Sequence, residues 1–331
     1  MEFTKMQGTG NDYVYVDCFK ETVREPAKTA IYVSDRHFGI GSDGLILICP
    51  SRTADCRMEM YNADGSQGIM CGNGVRCVGK YVYDHGLVDK DKRTITVETL
   101  AGIKTLELET EDGRAVSVTV DMGEAALTSR LPEDITVDGE QYRFVGINVG
   151  NPHAIYYVDQ VDSLDLERIG PAFENHARFA PDRVNTEFIH VVDRKHLDMR
   201  VWERGSGETW ACGTGAAASV MASILMGYTE DEAEVALRGG KLVIRYDRES
   251  GHLFMTGPAV EVFRGSIDIP AKTRGTTLIA MMCNHYLLNS ITLRLDDSSH
   301  LGHFVRKLVV GMIQTGKLRP SLMEIQLLQQ P

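Results

Sequence analysis

The sequence predicts an α/β protein of two pseudo-symmetric domains, each a mostly antiparallel sheet wrapped around a central helix. Three observations carry this. Most of the 331 residues fall into short β-branched and apolar segments bounded by Gly, Asp or Pro. Two stretches instead place apolar residues at near-helical spacing. Those two stretches share a lead-in: an offset of 141 residues puts Tyr61 on Trp202, Cys71 on Cys212, Gly72 on Gly213 and Gly74 on Gly215. An offset of 140 puts Gly10-Asn11 on Gly150-Asn151.

Taken in order, Tyr13 to Val16, Leu45 to Ile48, Thr94 to Val97 and Val116 to Val120 read as strands. Gly74 to His85 and Gly215 to Met226 lack Pro, and each ends beside a glycine, Gly86 or Gly227, suited to a helix C-terminus. Each reads as a buried helix. A repeat of this length is too long for a solenoid unit, so it indicates two homologous domains with function seated between them. Residues 271–331 stand apart, with seven Lys+Arg against three Asp+Glu (7 − 3 = +4), where the first 270 residues carry 28 − 43 = −15. Leu301 to Met312 reads as a helix without a chemical motif. The uncharged stretch Gly275 to Leu293 contains Asn284, His285 and Asn289, which favour a buried or surface segment over a membrane span.

Composition narrows the function. With 35 Lys+Arg against 46 Asp+Glu the net charge is −11, which disfavours a phosphate-backbone binder and leaves a small-molecule site. The opening residues, Met1 to Gly8, lack the basic and apolar run of a secretion signal, so the expected location is the cytoplasm. Seven cysteines in a chain of this length suggest thiols rather than a disulfide framework.

The informative pair is Met70-Cys71-Gly72-Asn73-Gly74 and Ala211-Cys212-Gly213-Thr214-Gly215. In both, a cysteine precedes two glycines flanking a small polar residue, and a helix follows. Glycines admit a ligand close to the backbone, and the free N–H groups of a first helical turn suit a carboxylate. The positive helix end should also lower the thiol pKa, making Cys71 and Cys212 acid–base groups near neutral pH. A single such cysteine reads more readily as a small buried residue; two in register do not. Two thiols facing one site from two sides suit inversion of a stereocentre, one removing the α-proton and the other delivering a proton to the opposite face. No pyridoxal cofactor is then obligatory. Cys18, Cys49, Cys56, Cys77 and Cys283 lack this setting and read as structural thiols.

Other motifs carry less. Gly39-Ile40-Gly41-Ser42-Asp43-Gly44 spells G-x-G-x-x-G, yet a strand follows it where a dinucleotide site needs a helix. Metal signatures are poor: there is no His-Glu-x-x-His, and His300-x-x-His303 lies in the extension. A Cys-His nucleophile with His153 as base remains open, but it leaves the second cysteine unexplained.

Beside this reading, the sequence resembles the diaminopimelate epimerase family of cofactor-independent two-thiol racemases. The resemblance covers roughly residues 1–270 and rests on seven motifs in order: Gly8 to Tyr13, Gly39 to Gly44, Tyr61 to Ser66, Cys71 to Cys77, Gly150 to His153, Val184 to Thr186, and Glu203 to Gly215. It implies interconversion of LL- and meso-diaminopimelate in lysine and peptidoglycan precursor synthesis, with no cofactor. The implied fold has two β-barrel-like domains, 1–115 and 116–256, with 257–270 returning to the first and 271–331 as an extension. It also implies roles for residues. Cys71 and Cys212 would be the acid–base thiols, and Gly72, Asn73, Gly213 and Thr214 would hold the carboxylate at the reacting centre. Asn62, Asn151, Asn185, Glu203 and Arg204 would grip the distal amino acid group, and Asn11 would touch the substrate chain. Singly, the asparagines read as well as turn caps and Glu203-Arg204 as a solvated pair; their joint order with the Cys motifs favours a site. Gly44 stands where some members carry Gln. The implied partner is a small molecule, with neither nucleic acid nor membrane, and a homodimer is allowed. Rival readings are a two-thiol racemase of histidine or proline and a non-catalytic amino acid binder.

Overall fold

Among the described residues, four α-helices and nineteen strands form from this pattern: α1 (Pro26–Ser34), α2 (Gly72–Asp84), α3 (Leu166–Glu174) and α4 (Gly213–Leu225), with these strands joined in one hydrogen-bonded sheet. This computed structural model describes residues 1–270, so the expected helix at Leu301 to Met312 and the Gly275 to Leu293 stretch lie outside the described residues. Among the described residues no helix is long and apolar enough to cross a membrane. The four expected strands lie within Asn11–Asp17, Gly44–Cys49, Thr94–Thr99 and Arg114–Glu124.

The repeat is visible strand by strand. Asn11–Asp17 pairs antiparallel with Glu2–Gly8 and parallel with Gly44–Cys49, which pairs antiparallel with Cys56–Asn62. In the second half Pro152–Tyr157 pairs antiparallel with Glu140–Asn148 and parallel with Asn185–Asp193, which pairs antiparallel with His196–Glu203. A parallel neighbour needs a crossover connection, and helices supply it. Helix α1 lies between one parallel pair and α3 between the other, while α2 and α4 connect Cys56–Asn62 to Thr94–Thr99 and His196–Glu203 to Glu232–Leu237. The crossover helices α1 and α3 are short, at 9 residues each. Their local signals are modest: Pro26 in the first turn of α1, and Asp165, whose side chain accepts from the Arg168 N–H and caps α3.

Helices α2 and α4 are the buried pair expected from spacing, and both begin two residues earlier than that spacing indicated. Cys71 and Cys212 act as N-caps, so Gly72 and Gly213 are already helical. Both helices close as expected at a left-handed glycine, Gly86 (φ 70°) and Gly227 (φ 74°). The next N–H, of Leu87 or Tyr228, returns to the Val82 or Ser223 carbonyl. Helix α4 is packed by Ala216, Ala217, Ala218, Val220 and Ala222, small residues that let strands approach it closely, and it shares one apolar cluster with Val75, Val78 and Val82 of α2. Arg114–Glu124 pairs with His252–Gly257, and Val260–Ser266 returns to pair with Glu2–Gly8.

A second core of aromatic rings, Phe144, Tyr156, Phe173, Phe188 and Trp202, encloses one carboxylate. Glu174, 5% exposed, accepts from Trp202 Nε1 at 2.7 Å, the Gly205 N–H at 2.9 Å and Arg183 at 2.6 Å. It thereby pins the turn that carries Glu203 and Arg204. Glu174→Ala strands the buried Trp202 N–H and frees Gly205 and Arg183, both open to water, so urea denaturation should show a stability loss of about 2 kcal/mol.

Candidate active site

Two short strands, Gln67–Gly68 and Gly207–Thr209, deliver the chain into Cys71 and Cys212. Each cysteine is extended (φ −130°, ψ 120° and φ −120°, ψ 107°), and its sulfur accepts from the N–H three residues on, at 3.4 Å in both cases, from Gly74 and Gly215. The remaining N–H groups of each first turn have no intrahelical acceptor. Asn73 joins the two helix ends: its amide donates to the Ala211 carbonyl at 3.3 Å, and its Oδ1 accepts from the Thr9 hydroxyl at 3.4 Å. Met255 packs under both ends. A Cβ at Gly72 would lie 2.8 Å from Met255 Cε, and one at Gly213 2.9 Å from Met255 Sδ, so neither position accepts a side chain unless Met255 shifts.

The two thiols differ in surroundings. The Cys71 thiol donates to Asn11 Oδ1 at 3.2 Å, and the Asn11 amide is held by Asp43 at 2.7 Å. Cys212, only 5% exposed, has the Thr214 hydroxyl at 3.5 Å. Burial pushes both thiols above the ordinary range; Glu203 adds to it at both, and Glu187 adds to it at Cys212. The expectation of thiols near neutral is therefore corrected. The helix-end N–H groups do pull both thiols down, but desolvation outweighs them. Burial raises the Glu203 carboxyl as well, against the Thr209 hydroxyl that donates to it at 2.5 Å.

The remaining residues of the expected set divide into those linked to the thiols and those farther out. Asn151 Oδ1 lies 3.0 Å from His153 Nε2, and His153 Nδ1 lies 2.6 Å from Glu187 Oε1, with both ionisable side chains fully enclosed. Atoms of His153, Glu187 and Cys212 that could bind a metal lie within 4.8 Å of one another, and the first two are joined by the hydrogen bond above. His153 thus lies in the neighbourhood of the Cys212 thiol, with its two ring nitrogens engaged by Glu187 and Asn151. Glu187 was not foreseen; a lone Glu in a β-branched run gives no signal of burial, and its Oε2 is buried without a partner. Asn185 accepts from the Arg204 N–H at 2.9 Å and donates to the Pro152 carbonyl at 3.1 Å. The Arg204 guanidinium donates to the Asp182 carbonyl at 2.8 Å and borders a cavity of about 350 Å³ shared with His153, Asn148 and Arg183. Asn62, opposite Gly44 in the sheet, spends its amide on Ser66 at 3.0 Å. At Gly44 the backbone has closed over the space a longer side chain would need: a Cβ there would run into the Tyr61 carbonyl and the Tyr13 ring.

This geometry places two sulfurs and two sets of free N–H groups around one point, which suits proton transfer at a carbon beside a carboxylate.

Comparison with known proteins agrees. Residues 3–128 and 145–262 match the diaminopimelate epimerase family. The chain is similar to the diaminopimelate epimerase of Acetivibrio thermocellus, 54% identical over 280 residues, covering 81% of this chain and 99% of that one. It is likewise similar to that of Agathobacter rectalis, 54% identical over 287 residues, covering 81% and 100%. Among solved structures, it shares the fold of a hydroxyproline epimerase from Agrobacterium vitis, with a TM-score of 0.62, 15% identity and coverage of 80% and 91%. It also shares that of a phenazine biosynthesis protein of the PhzF family from Bacillus anthracis, with a TM-score of 0.64, 18% identity and coverage of 81% and 99%.

Because both thiols are raised, each should react with iodoacetamide at pH 7 more slowly than a free cysteine, whose pKa is about 8.5. The rates should climb only as pH passes that value. Glu203→Gln removes a negative charge facing both sulfurs, so both midpoints should fall by roughly 0.5–1 pH unit in peptide-mapped alkylation.

Proposed function

The chain belongs to the diaminopimelate epimerase family, and on that premise we propose that Cys71 and Cys212 are the two acid–base groups that interconvert LL- and meso-diaminopimelate. The observation that carries the assignment is the pair of cysteine N-caps on two helix ends joined by Asn73. One sulfur, as thiolate, takes the α-proton: the C–H bond breaks and an S–H bond forms. The other, as thiol, gives its proton to the opposite face, so the two sulfurs exchange protonation states with each turnover. A raised thiol pKa helps the chemistry, because the stronger the base, the smaller its mismatch with the very weakly acidic α-carbon. Charge developing toward the α-carboxylate is met by the N–H groups at Gly72, Asn73, Gly213 and Thr214, fixed before reaction.

At the distal end, Arg204 pairs with the second carboxylate and Glu203 with the ammonium, with Asn62, Asn151 and Asn185 supplying amide contacts and Asn11 touching the chain. The site lies between two halves, 1–115 with 257–270, and 116–256. This reading has the enzyme act on a small molecule in the cytoplasm, as a homodimer, in lysine and peptidoglycan precursor synthesis.

The test is incubation with LL-diaminopimelate in heavy water with reductant and no added cofactor, followed by NMR. Solvent deuterium should enter the α-position as meso product accumulates; exchange on a different amino acid alone would move the substrate. Cys71→Ser and Cys212→Ser should each fold and lose more than ~100-fold of the epimerisation rate, an estimate from the usual worth of an acid–base group. Arg204→Ala should raise KM by at least ~10-fold while leaving both thiols alkylatable, the loss expected from one charge-assisted carboxylate contact.

A further inference from the structure

Arg76 is the largest fully buried side chain among the described residues, at 0% exposure. It sits on α2, five residues past the Cys71 cap, and helical side chains project back toward the N-terminus. Its guanidinium donates to the Thr9 hydroxyl at 3.0 Å, the Pro258 carbonyl at 3.3 Å and Met255 Sδ at 3.6 Å. All three partners are neutral. Among the described residues no carboxylate lies within the 4.0 Å of an ion pair. Burying a charge without a counter-ion is strongly unfavourable, whereas a guanidinium paired with an anion is a common interior device. Among the described residues its counter-charge is therefore left to an anion that forms or binds beside the helix ends.

The partners of Arg76 indicate where that anion sits. Thr9, held in a left-handed conformation at φ 53°, passes its own hydrogen bond to Asn73, which bridges to Ala211 at the head of α4. Met255, the third partner, is the residue packed under Gly72 and Gly213. A Cβ at Gly8 would lie 3.0 Å from an Arg76 nitrogen and 3.1 Å from the Asn73 carbonyl, which places the guanidinium alongside the first turn of α2. We propose that Arg76 is the fixed counter-charge of the active site, a positioning residue that stabilises the Cys71 thiolate and the α-carboxylate of the bound amino acid without touching either. This rests on the reading of Cys71 as an acid–base group.

The groups facing Cys71 are Asn11 and Tyr13 from the second strand, Glu203 from across the site, and the first-turn N–H groups of its own helix. Glu203 opposes ionisation of the thiol, and Arg76 is the cation set against it. Cys77, on the same helix as Arg76, also faces the guanidinium. Burial presses the guanidinium downward, yet an arginine stays charged throughout the working range.

The test reads the pH dependence of Cys71 alkylation by iodoacetamide, peptide-mapped, in the full chain and three variants checked for folding by circular dichroism. Arg76→Gln keeps a donor at the place of the arginine Nε, which bonds Pro258, but loses the charge; the Cys71 midpoint should rise by about one pH unit, or about 10-fold slower alkylation at a fixed pH below it. Arg76→Lys keeps the charge and should leave the midpoint within a few tenths of a unit. Thr9→Val removes an anchor but no charge and should also leave it in place. A folded Arg76→Gln with an unchanged midpoint overturns the proposal, as does a Thr9→Val that shifts as far as Arg76→Gln. If Arg76→Gln does not fold, Arg76→Lys decides, since a midpoint raised despite the retained charge would assign the effect to hydrogen bonding. Alkylation needs no substrate, so failure of the wild type to epimerise diaminopimelate would count against the functional reading and leave this measurement intact.

Discussion

Two glycine-headed helix ends meeting at one place is the constraint on which the site depends. Helix N-termini carry N–H groups that a buried setting cannot leave to water, so each needs an acceptor or a waiting anion. Here the cysteine sulfurs take one N–H apiece, Asn73 ties one end to the approach of the other, and Met255 closes the floor. Glycine at 72 and 213 is a consequence of that packing. The same absence of side chains that lets the ends converge leaves their remaining donors open to a carboxylate.

The acidity of the thiols follows from a contest within that enclosure. Helix-end N–H groups favour thiolate, while desolvation and the Glu203 carboxylate oppose it, and desolvation is the larger effect at both sulfurs. A site that abstracts a proton from carbon gains from this outcome, since a readily ionised thiol would be a poor base. It also makes the supply of positive charge a matter of consequence. Beside the helix ends lies Arg76, buried and without a carboxylate partner among the described residues.

Around the helix ends, buried carboxylates act as joints. Glu174 gathers Trp202, Gly205 and Arg183, fixing the turn after strand His196–Glu203, and Glu187 holds His153 beside Cys212. Each sits where two elements distant in sequence must keep a set angle. The parallel strand pairs do similar work at larger scale: each needs a helical crossover, and those crossovers bring the strands preceding Cys71 and Cys212 to equivalent positions in the two halves.

The sequence by itself determined the repeat, the two buried helices, their glycine ends and the paired Cys-Gly motifs, because each is written in residues close together along the chain. Period, capping and glycine placement are local physics, and they hold wherever the helix is docked. Helices α1 and α3 were not legible, being short and weakly signalled; the crossover geometry of a parallel pair decides them. Nor was the thiol acidity, which local reasoning set too low because it counted the helix-end N–H groups and could not count burial. Glu187, Arg76 and Glu174 gave no sign of their burial either. A charged residue on a strand or helix reads as solvent-facing until the fold wraps other elements around it, and only the tertiary structure decides which charges lose their water.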